Sequence, residues 1–238
     1  MALSTKPMVP DEMVAHKLPP LENGDRLSRA EFERRYDAMP HLKKAELIEG
    51  IVYMPSPVRL SQHGEPHSYL VGWLVVYRAA TPGIRVGDNT TTRLDLDNEP
   101  QPDASLLIDP ERVGQTRISE DGYIEGAPEL VLEVASSSAS YDLHAKRNVY
   151  RRNGVKEYVV WRVLDEAIDW YVLRDGEYER LTPGDDGILR SEVFAGLWLD
   201  PAALIQHDLA TVLSTVQQGV ASPEHAAFVA AVPPNPSS

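Results

Sequence analysis

The sequence predicts an α/β or α+β domain in which helices flank a central mixed β-sheet. Two observations support this fold class: apolar runs of strand length recur along the chain, and stretches with helical spacing of apolar residues interrupt them. The chain has 238 residues, of which 42% are hydrophobic and 25% charged, so it can bury a substantial core. We therefore expect one main domain with loosely structured ends.

The first half of the chain begins with a short predicted helix. Ser28 followed by Glu31 is a capping-box pattern, and it predicts a helix through about Tyr36. The segment ELIEGIVYM (46–54) predicts a turn that leads into a strand. A longer helix is predicted over about 65–80, because apolar residues recur there at helical spacing: Leu70, Trp73, Leu74 and Tyr77. Short strands separated by turn residues are predicted after it, over 84–86, 90–96 and 104–108.

The second half of the chain continues the alternation of strands and helices. A buried strand is predicted over 130–135, and a helix over 142–153 that Gly154 is well placed to end. Three strands with intervening turns are predicted next, over 158–163, 167–173 and 178–181. A last helix is predicted over about 201–217.

These elements divide the chain into three parts. Residues 1–24 are rich in proline and polar residues, and we expect a flexible N-terminal arm there. The main domain is expected over 25–205, followed by a C-terminal helix and a disordered tail over 206–238.

Composition narrows the range of functions. The net charge of −13 counts against a large basic DNA-binding face, although it leaves room for a local site that binds phosphate. There are no cysteines, which excludes disulfides and thiolate zinc sites and fits a cytoplasmic protein. The longest mostly apolar run, Tyr69 to Tyr77, is far shorter than the roughly 20 residues of a membrane span, so we expect no membrane association.

Glu133 is the most informative candidate site residue, because it interrupts an apolar strand. Alternation places its side chain on the same sheet face as Val131 and Ala135. A buried carboxylate is costly unless a metal ion or a fixed cation pairs with it. Small polar residues, Ser136 to Ser138, follow the strand and leave room for a ligand. The alternative is an acid at a strand end that faces solvent or pairs with an arginine.

Asp103 and Lys146 are candidates to complete a site with Glu133. Asp103 precedes the apolar strand 104–108, where it can face the glutamate of a neighbouring strand, although an aspartate after proline is also common in turns. Lys146 shares the inward face of its predicted helix with Val149 and Tyr150. It either points at the carboxylates or extends its ammonium group to solvent.

Other charged residues have weaker claims. Glu46 or Glu49 could supply a third acid, although surface exposure is the usual state of glutamate. The one dense basic patch either contacts phosphates or is a solvated face, and it consists of Arg147, Arg151, Arg152 and Lys156.

Other catalytic chemistries are disfavoured. His63 and His67 have the spacing of a zinc pair, but Gly64 and Pro66 lie between them and make a continuous helix doubtful. The sequence has no Gly-x-Ser-x-Gly elbow, no Walker loop and no dinucleotide fingerprint.

Taken together, five segments resemble a large bacterial family of restriction-endonuclease-like proteins of the Uma type, within the PD-(D/E)XK nuclease superfamily. The segments, which span roughly 25–205, are ELIEGIVYM, QPDASLLI, APELVLEVASSS, DLHAKRNVYRRNGVKEYVVW and FAGLWLD. The resemblance implies a restriction-endonuclease-like core.

Residue by residue, the resemblance implies a catalytic site of four side chains. Pro102 and Asp103 match the "PD" of the superfamily, Glu133 matches its second acid, and Glu46 matches the acid of the first conserved segment. Ala135 stands where the superfamily usually has lysine, and Lys146 on the following helix matches the lysine of this family instead.

The predicted function is therefore that of an endonuclease that hydrolyses DNA with Mg²⁺ or Mn²⁺. Asp103, Glu133 and Glu46 would supply the hard oxygen ligands that these ions prefer, and Lys146 would orient the attacking water or stabilise charge on the phosphate. A homodimer with two sites would suit cleavage of both strands. Two alternatives stay open: a catalytically inactive module that binds nucleic acid or protein, and an enzyme acting on another phosphodiester or a nucleotide.

Overall fold

The structure, a computed structural model, describes residues 18–54, 59–111, 113–136 and 141–231. Most of the predicted N-terminal arm and the last seven residues of the predicted tail lie outside the described residues, as do Ser137 and Ser138. The domain boundaries at 24 and 205 stay predictions.

The central element is a six-stranded mixed sheet in the order β11-β10-β9-β8-β5-β3. All its strand pairs are antiparallel except β8 and β9, which run parallel. The thirteen strands of the described chain are β1 (Glu46–Ile48), β2 (Ile51–Tyr53), β3 (Ile84–Asp88), β4 (Thr92–Arg93), β5 (Ala104–Ile108), β6 (Arg117–Ile118), β7 (Ile124–Glu125), β8 (Leu130–Ala135), β9 (Glu157–Arg162), β10 (Ala167–Arg174), β11 (Glu177–Arg180), β12 (Leu189–Arg190) and β13 (Trp198–Leu199).

Helices flank this sheet, as predicted. The α-helices of the described residues are α1 (Arg29–Asp37), which packs against β1 and β2, and α2 (Glu65–Ala80), α3 (Arg147–Arg152), α4 (Pro201–Ile205), α5 (Leu209–Val220) and α6 (Pro223–Ala231). Single π-helical turns, Leu60–Gly64 and Asp142–Lys146, lead directly into α2 and α3. The predicted fold class, an α/β domain with a central mixed sheet flanked by helices, is confirmed.

Each face of the sheet buries its own apolar cluster. Alternate residues of β8 point to opposite sides, so Leu130, Leu132 and Val134 pack against α2 and α5 in the larger cluster. Val131 and Ala135 point the other way, toward Tyr150 of α3. Glu133 lies between these two residues in the alternation, on the face that α3 covers.

The segment 46–54, predicted as a turn into one strand, forms two paired strands, β1 and β2. Three further elements differ from the sequence prediction for identifiable local reasons. The strand expected over 90–96 shrinks to β4, because the amide of Asn98 donates to Asp95 and closes a tight turn. The helix expected over 201–217 is two helices, since His207 has a positive φ of 58° and Asp208 caps the start of α5. The first turn of the helix expected over 142–153 is π-helical.

The elements that sequence periodicity missed are short. Strands β6, β7, β12 and β13 have two residues each, too few for alternation to be recognised. No helix in the described parts of the chain is long and apolar enough to cross a membrane.

Candidate active site

Strand pairing brings Asp103 and Glu133 to the same level of the sheet. In the antiparallel register of β5 and β8, Ala104 lies opposite Leu132 and Ser105 opposite Val131. Extending this register by one residue places Asp103 opposite Glu133. Directly opposed residues of an antiparallel pair are close neighbours on one face, so two acids that are 30 positions apart in sequence share one location.

Glu133 is buried and receives two hydrogen bonds on the same oxygen. The ammonium group of Lys146 lies 2.9 Å from Glu133 Oε1, and the hydroxyl of Tyr150 donates to the same atom at 2.8 Å. Both donors come from the helical segment that covers this face. Because they converge on Oε1, Oε2 of Glu133 has no hydrogen bond from the described residues and is available to another ligand.

Lys146 joins Glu133 to a third acid, Glu46. Its Nζ lies 2.9 Å from Oε1 of Glu46 and 3.8 Å from Oδ1 of Asp142, and its side chain is only 4% exposed. Glu46 is fixed in turn, because the same Oε1 accepts the backbone N–H of Gln101 at 2.8 Å. The ammonium group therefore occupies the centre of a buried acidic cluster.

Asp103 has a different set of partners. Its Oδ2 accepts the backbone N–H of Val134 at 2.8 Å and lies 3.2 Å from Nε2 of His63. Lys44 Nζ stands 3.7 Å from Oδ1, a distance that gives an ion pair without a hydrogen bond. Asp103 is thus held by the backbone of β8, by the π-helical turn Leu60–Gly64 that contains His63, and by Lys44.

These surroundings shift the pKa values of the two acids in opposite directions. Burial raises the pKa of Glu133 to about 8; the charge of Lys146 opposes this rise, and the charges of Asp103, Asp142 and Glu46 add to it. Burial would also raise the pKa of Asp103, but the bond from His63, the charge of Lys44 and the N–H of Val134 lower it below its usual value. Asp103 is therefore ionised throughout the neutral range, whereas Glu133 takes up a proton readily.

Lys146 keeps its proton in this environment. Burial alone would lower its pKa, but the charges of Glu133, Glu46 and Asp142 outweigh burial and raise the pKa well above the ordinary value. The group is therefore a fixed positive charge and cannot serve as a base near neutral pH.

The donor set suits a hard divalent cation in chemistry, but Lys146 occupies its centre. Among residues 18–54, 59–111, 113–136 and 141–231, no three histidine, aspartate or glutamate side chains are arranged to hold a metal ion. The acids do offer carboxylate oxygens, which Mg²⁺ and Mn²⁺ prefer. Lys146 contacts one oxygen each of Glu133 and Glu46, so recruiting Oε1 of Glu46 to such an ion would require Lys146 to move away from Glu46.

The structure also shows where the weaker candidates for site residues lie. Glu46 lies at the cluster, whereas Glu49 is exposed in a turn and pairs with Arg152 at 2.7 Å. Arg151 is bonded to the carbonyl of Gly176 and to Glu177, so two arginines of the basic patch have partners within the chain.

The expectation that Gly64 and Pro66 would interrupt the helix is wrong. The π-helical turn that ends at Gly64 continues into α2, and Pro66, the second residue of α2, lies within this continuous helical segment. His63 and His67 consequently lie on one helical side, and both contact Asp103.

Sequence reasoning missed several partners of the site. Asp142 and Tyr150 could have been found, since they lie four residues before and after Lys146 on the same inward stripe. Lys44 gave no such signal, and the spacing of His63 from His67 did not point to Asp103, because only the tertiary fold brings these residues to it.

A mixed sheet flanked by helices, with acids on adjacent strands and a lysine from the next helix, is the arrangement expected of a restriction-endonuclease-like domain. The chain belongs to the family described as "Uma2: Putative restriction endonuclease", whose model matches residues 29–202. This match confirms the resemblance drawn from the sequence.

One solved structure with a similar chain comes from Anabaena variabilis and is described as "a putative nuclease belonging to DUF820". It shares 17% sequence identity, with 72% of this chain and 97% of that chain covered, at a TM-score of 0.48. No curated protein matches the chain.

Proposed function

We propose that this chain is a divalent-metal-dependent endonuclease that hydrolyses phosphodiester bonds in DNA. Family membership supports a nuclease-like function. The observation that carries the metal dependence is the convergence of carboxylates: among the described residues, Asp103 and Glu46 lie close enough to Glu133 for their charges to raise its pKa, and Asp103 and Glu133 each have one oxygen outside their hydrogen bonds. A divalent cation between these acids would offset their mutual repulsion.

Asp103 and Glu133 are the residues that would hold the ion, and Glu46 would join them once Lys146 withdraws. Each of the first two has one oxygen engaged by strong donors and a second oxygen left for a ligand. When bound, Mg²⁺ or Mn²⁺ would polarise the scissile phosphate and lower the pKa of a coordinated water molecule.

Lys146 would contribute charge rather than a proton. Its ammonium group is held beside Glu133, so it would face the same phosphate that the acids approach through the ion. There it would donate hydrogen bonds to the attacking water or to phosphate oxygens whose negative charge increases in the transition state. Because Lys146 comes from the π-helical turn rather than from β8, the replacement of the usual lysine by Ala135 is compatible with activity.

The decisive experiment is a plasmid cleavage assay with Mg²⁺ or Mn²⁺ on the wild type and on three isosteric variants. We expect Glu133→Gln and Asp103→Asn each to lower the rate by on the order of 10²- to 10³-fold, as for other single groups that stabilise charge. Glu49→Gln is the matched control, because Glu49 is exposed and pairs with Arg152 away from the cluster. Full cleavage by a folded Glu133→Gln protein would rule out this role.

The contacts of Lys146 support an alternative function, a catalytically inactive module that binds nucleic acid or a protein partner. The ammonium group already compensates Glu133 and Glu46, as expected of a site that needs no cation. Such a module would show neither Mn²⁺ binding nor divalent-dependent cleavage.

Parallel assays on plasmid, single strands and small phosphodiesters would separate an endonuclease from an enzyme with another phosphodiester substrate. A homodimer with two sites stays a prediction, tested by the mass of the protein in solution.

A further inference from the structure

Two histidines, one helical turn apart, bind Asp103 from opposite ends of the residue. Nε2 of His63 lies 3.2 Å from the carboxylate Oδ2, and Nε2 of His67 lies 3.0 Å from the backbone carbonyl oxygen of Asp103. An ionised carboxylate and a carbonyl can only accept hydrogen bonds, so in both rings Nε2 carries the proton and donates. The side chain and the main chain of one acid are thus held by one helical segment.

The π-helical turn Leu60–Gly64 makes this double contact possible. The backbone N–H of Gly64 reaches back to the carbonyl of Arg59 at 3.2 Å, a five-residue step that widens the turn before α2 begins. His67 is anchored further by Asp88, whose Oδ1 lies 3.0 Å from the same Nε2. π-Helical turns are uncommon and frequent at functional sites.

We propose that His63 is a positioning residue that orients the Asp103 carboxylate toward a bound divalent cation; this inference rests on the proposed function. His63 and the N–H of Val134 both bind Oδ2 of Asp103, so the carboxylate cannot rotate without losing two hydrogen bonds. Oδ1, whose partner is the more distant Lys44, is then the oxygen directed at the cation.

In Asp103, therefore, neighbouring donors hold one carboxylate oxygen, Oδ2, and so set the direction of the other, Oδ1. Partners that orient a metal ligand in this way typically contribute 10- to 100-fold to metal affinity. His63 can be substituted without opening a large cavity in the core, because 21% of its side chain is exposed, compared with 6% for Asp103.

The test compares two variants of equal length on the full chain, His63→Gln and His63→Met. Glutamine retains an N–H donor near the tip of the side chain, methionine does not, and both residues are good helix formers. His41→Met is the control, because His41 is exposed. Mn²⁺ affinity is measured by electron paramagnetic resonance without substrate, and thermal unfolding is recorded for each protein.

We expect His63→Met to weaken Mn²⁺ binding by about 10-fold or more, with His63→Gln within about 3-fold of the wild type and His41→Met unchanged. Rescue by glutamine distinguishes positioning from a general effect on folding, which both variants would share. Equal Mn²⁺ affinity of wild type and a folded His63→Met protein would overturn this inference alone. Failure of the wild type to bind Mn²⁺ would overturn the proposed metal dependence together with it. Equal weakening by glutamine and methionine would also count against the hydrogen bond.

Discussion

The two acids at the centre of the sheet lie opposite each other on neighbouring strands, yet they are stabilised by different parts of the molecule. Asp103 is held by a backbone N–H of β8, by His63 before α2 and by Lys44. Glu133 is held by Lys146 and Tyr150, which both belong to the segment that contains α3. The partners of Asp103 lower its pKa despite its burial, whereas burial and the neighbouring acids raise the pKa of Glu133 despite the charge of Lys146.

This difference indicates a division of roles. Where the surroundings of two carboxyl groups drive their pKa values apart, the groups usually perform different tasks. Asp103 presents a permanent charge, whereas Glu133 shares its charge with Lys146 and is the acid whose state a bound cation would change most.

The largest expected effect comes from removing the cation on the Glu133 side. Lys146→Met leaves Glu133 and Glu46 without their buried partner, so we expect a loss of about 3–5 kcal/mol in the free energy of unfolding. Chemical denaturation measures this loss. Lys43→Met, at an exposed position, should change stability by no more than about 0.5 kcal/mol.

The double variant Lys146→Met/Glu133→Gln sharpens this test. The substitution at Glu133 removes one of the two buried carboxylates that Lys146→Met leaves without a partner. The double variant should therefore recover part of the stability that Lys146→Met loses, so the effects of the two substitutions should not be additive. Strict additivity would show that the two groups are not coupled.

The second prediction concerns pH. A carboxyl group whose pKa is raised on folding stabilises the protein below its unfolded pKa, and this stabilisation disappears as the pH rises through the folded value. For Glu133 the window extends from about 4.5 to about 8. Between pH 5 and pH 8 without metal, we expect its contribution to fall by about 3–4 kcal/mol.

The measurement is the difference in unfolding free energy between wild type and Glu133→Gln across that range. Other buried acids with raised pKa values, Glu157 and Glu99, are present in both proteins and cancel in the difference. Asp103 contributes in the opposite sense, since its lowered pKa gives stability that is lost only as the pH falls below about 4. Parallel pH curves for the two proteins would contradict the raised pKa of Glu133.

The smallest expected effect isolates the Tyr150 hydroxyl. Tyr150→Phe keeps the ring and removes one donor to Glu133, so we expect a loss of about 1–2 kcal/mol in stability. Mn²⁺ affinity should also drop by about 10-fold. Tyr77→Phe is matched, because the Tyr77 hydroxyl donates to the carbonyl of Ala195 on the other side of the sheet. It should lose similar stability and leave Mn²⁺ affinity unchanged; a drop of equal size in both variants would argue against a specific role for Tyr150.

Much of the architecture could be predicted from the sequence, because strand alternation and helical spacing of apolar residues are strong in the long elements. The bounds predicted for α2, β5 and β8 match the structure closely, since each is a continuous apolar pattern. The inward face of Lys146 was also readable, because Val149 and Tyr150 follow it at helical spacing.

The surroundings of Asp103 were not readable from the sequence. Lys44 and His63 reach it from distant parts of the chain, and no periodicity encodes such contacts. The glycine and proline near His63 favoured a broken helix, whereas a widened turn accommodates both residues. The central position of Lys146 between two glutamates likewise depends on side-chain packing, which composition and spacing do not determine.

The position of Lys146 bears on whether the protein needs a metal ion in order to fold. The chain carries its own counterion at the place where the acids would otherwise repel one another most strongly. Folding therefore does not have to wait for a metal, unlike that of small domains that collapse only around zinc. Treatment with a chelator should abolish any hydrolytic activity while the purified protein stays folded, and adding the divalent cation back should restore that activity.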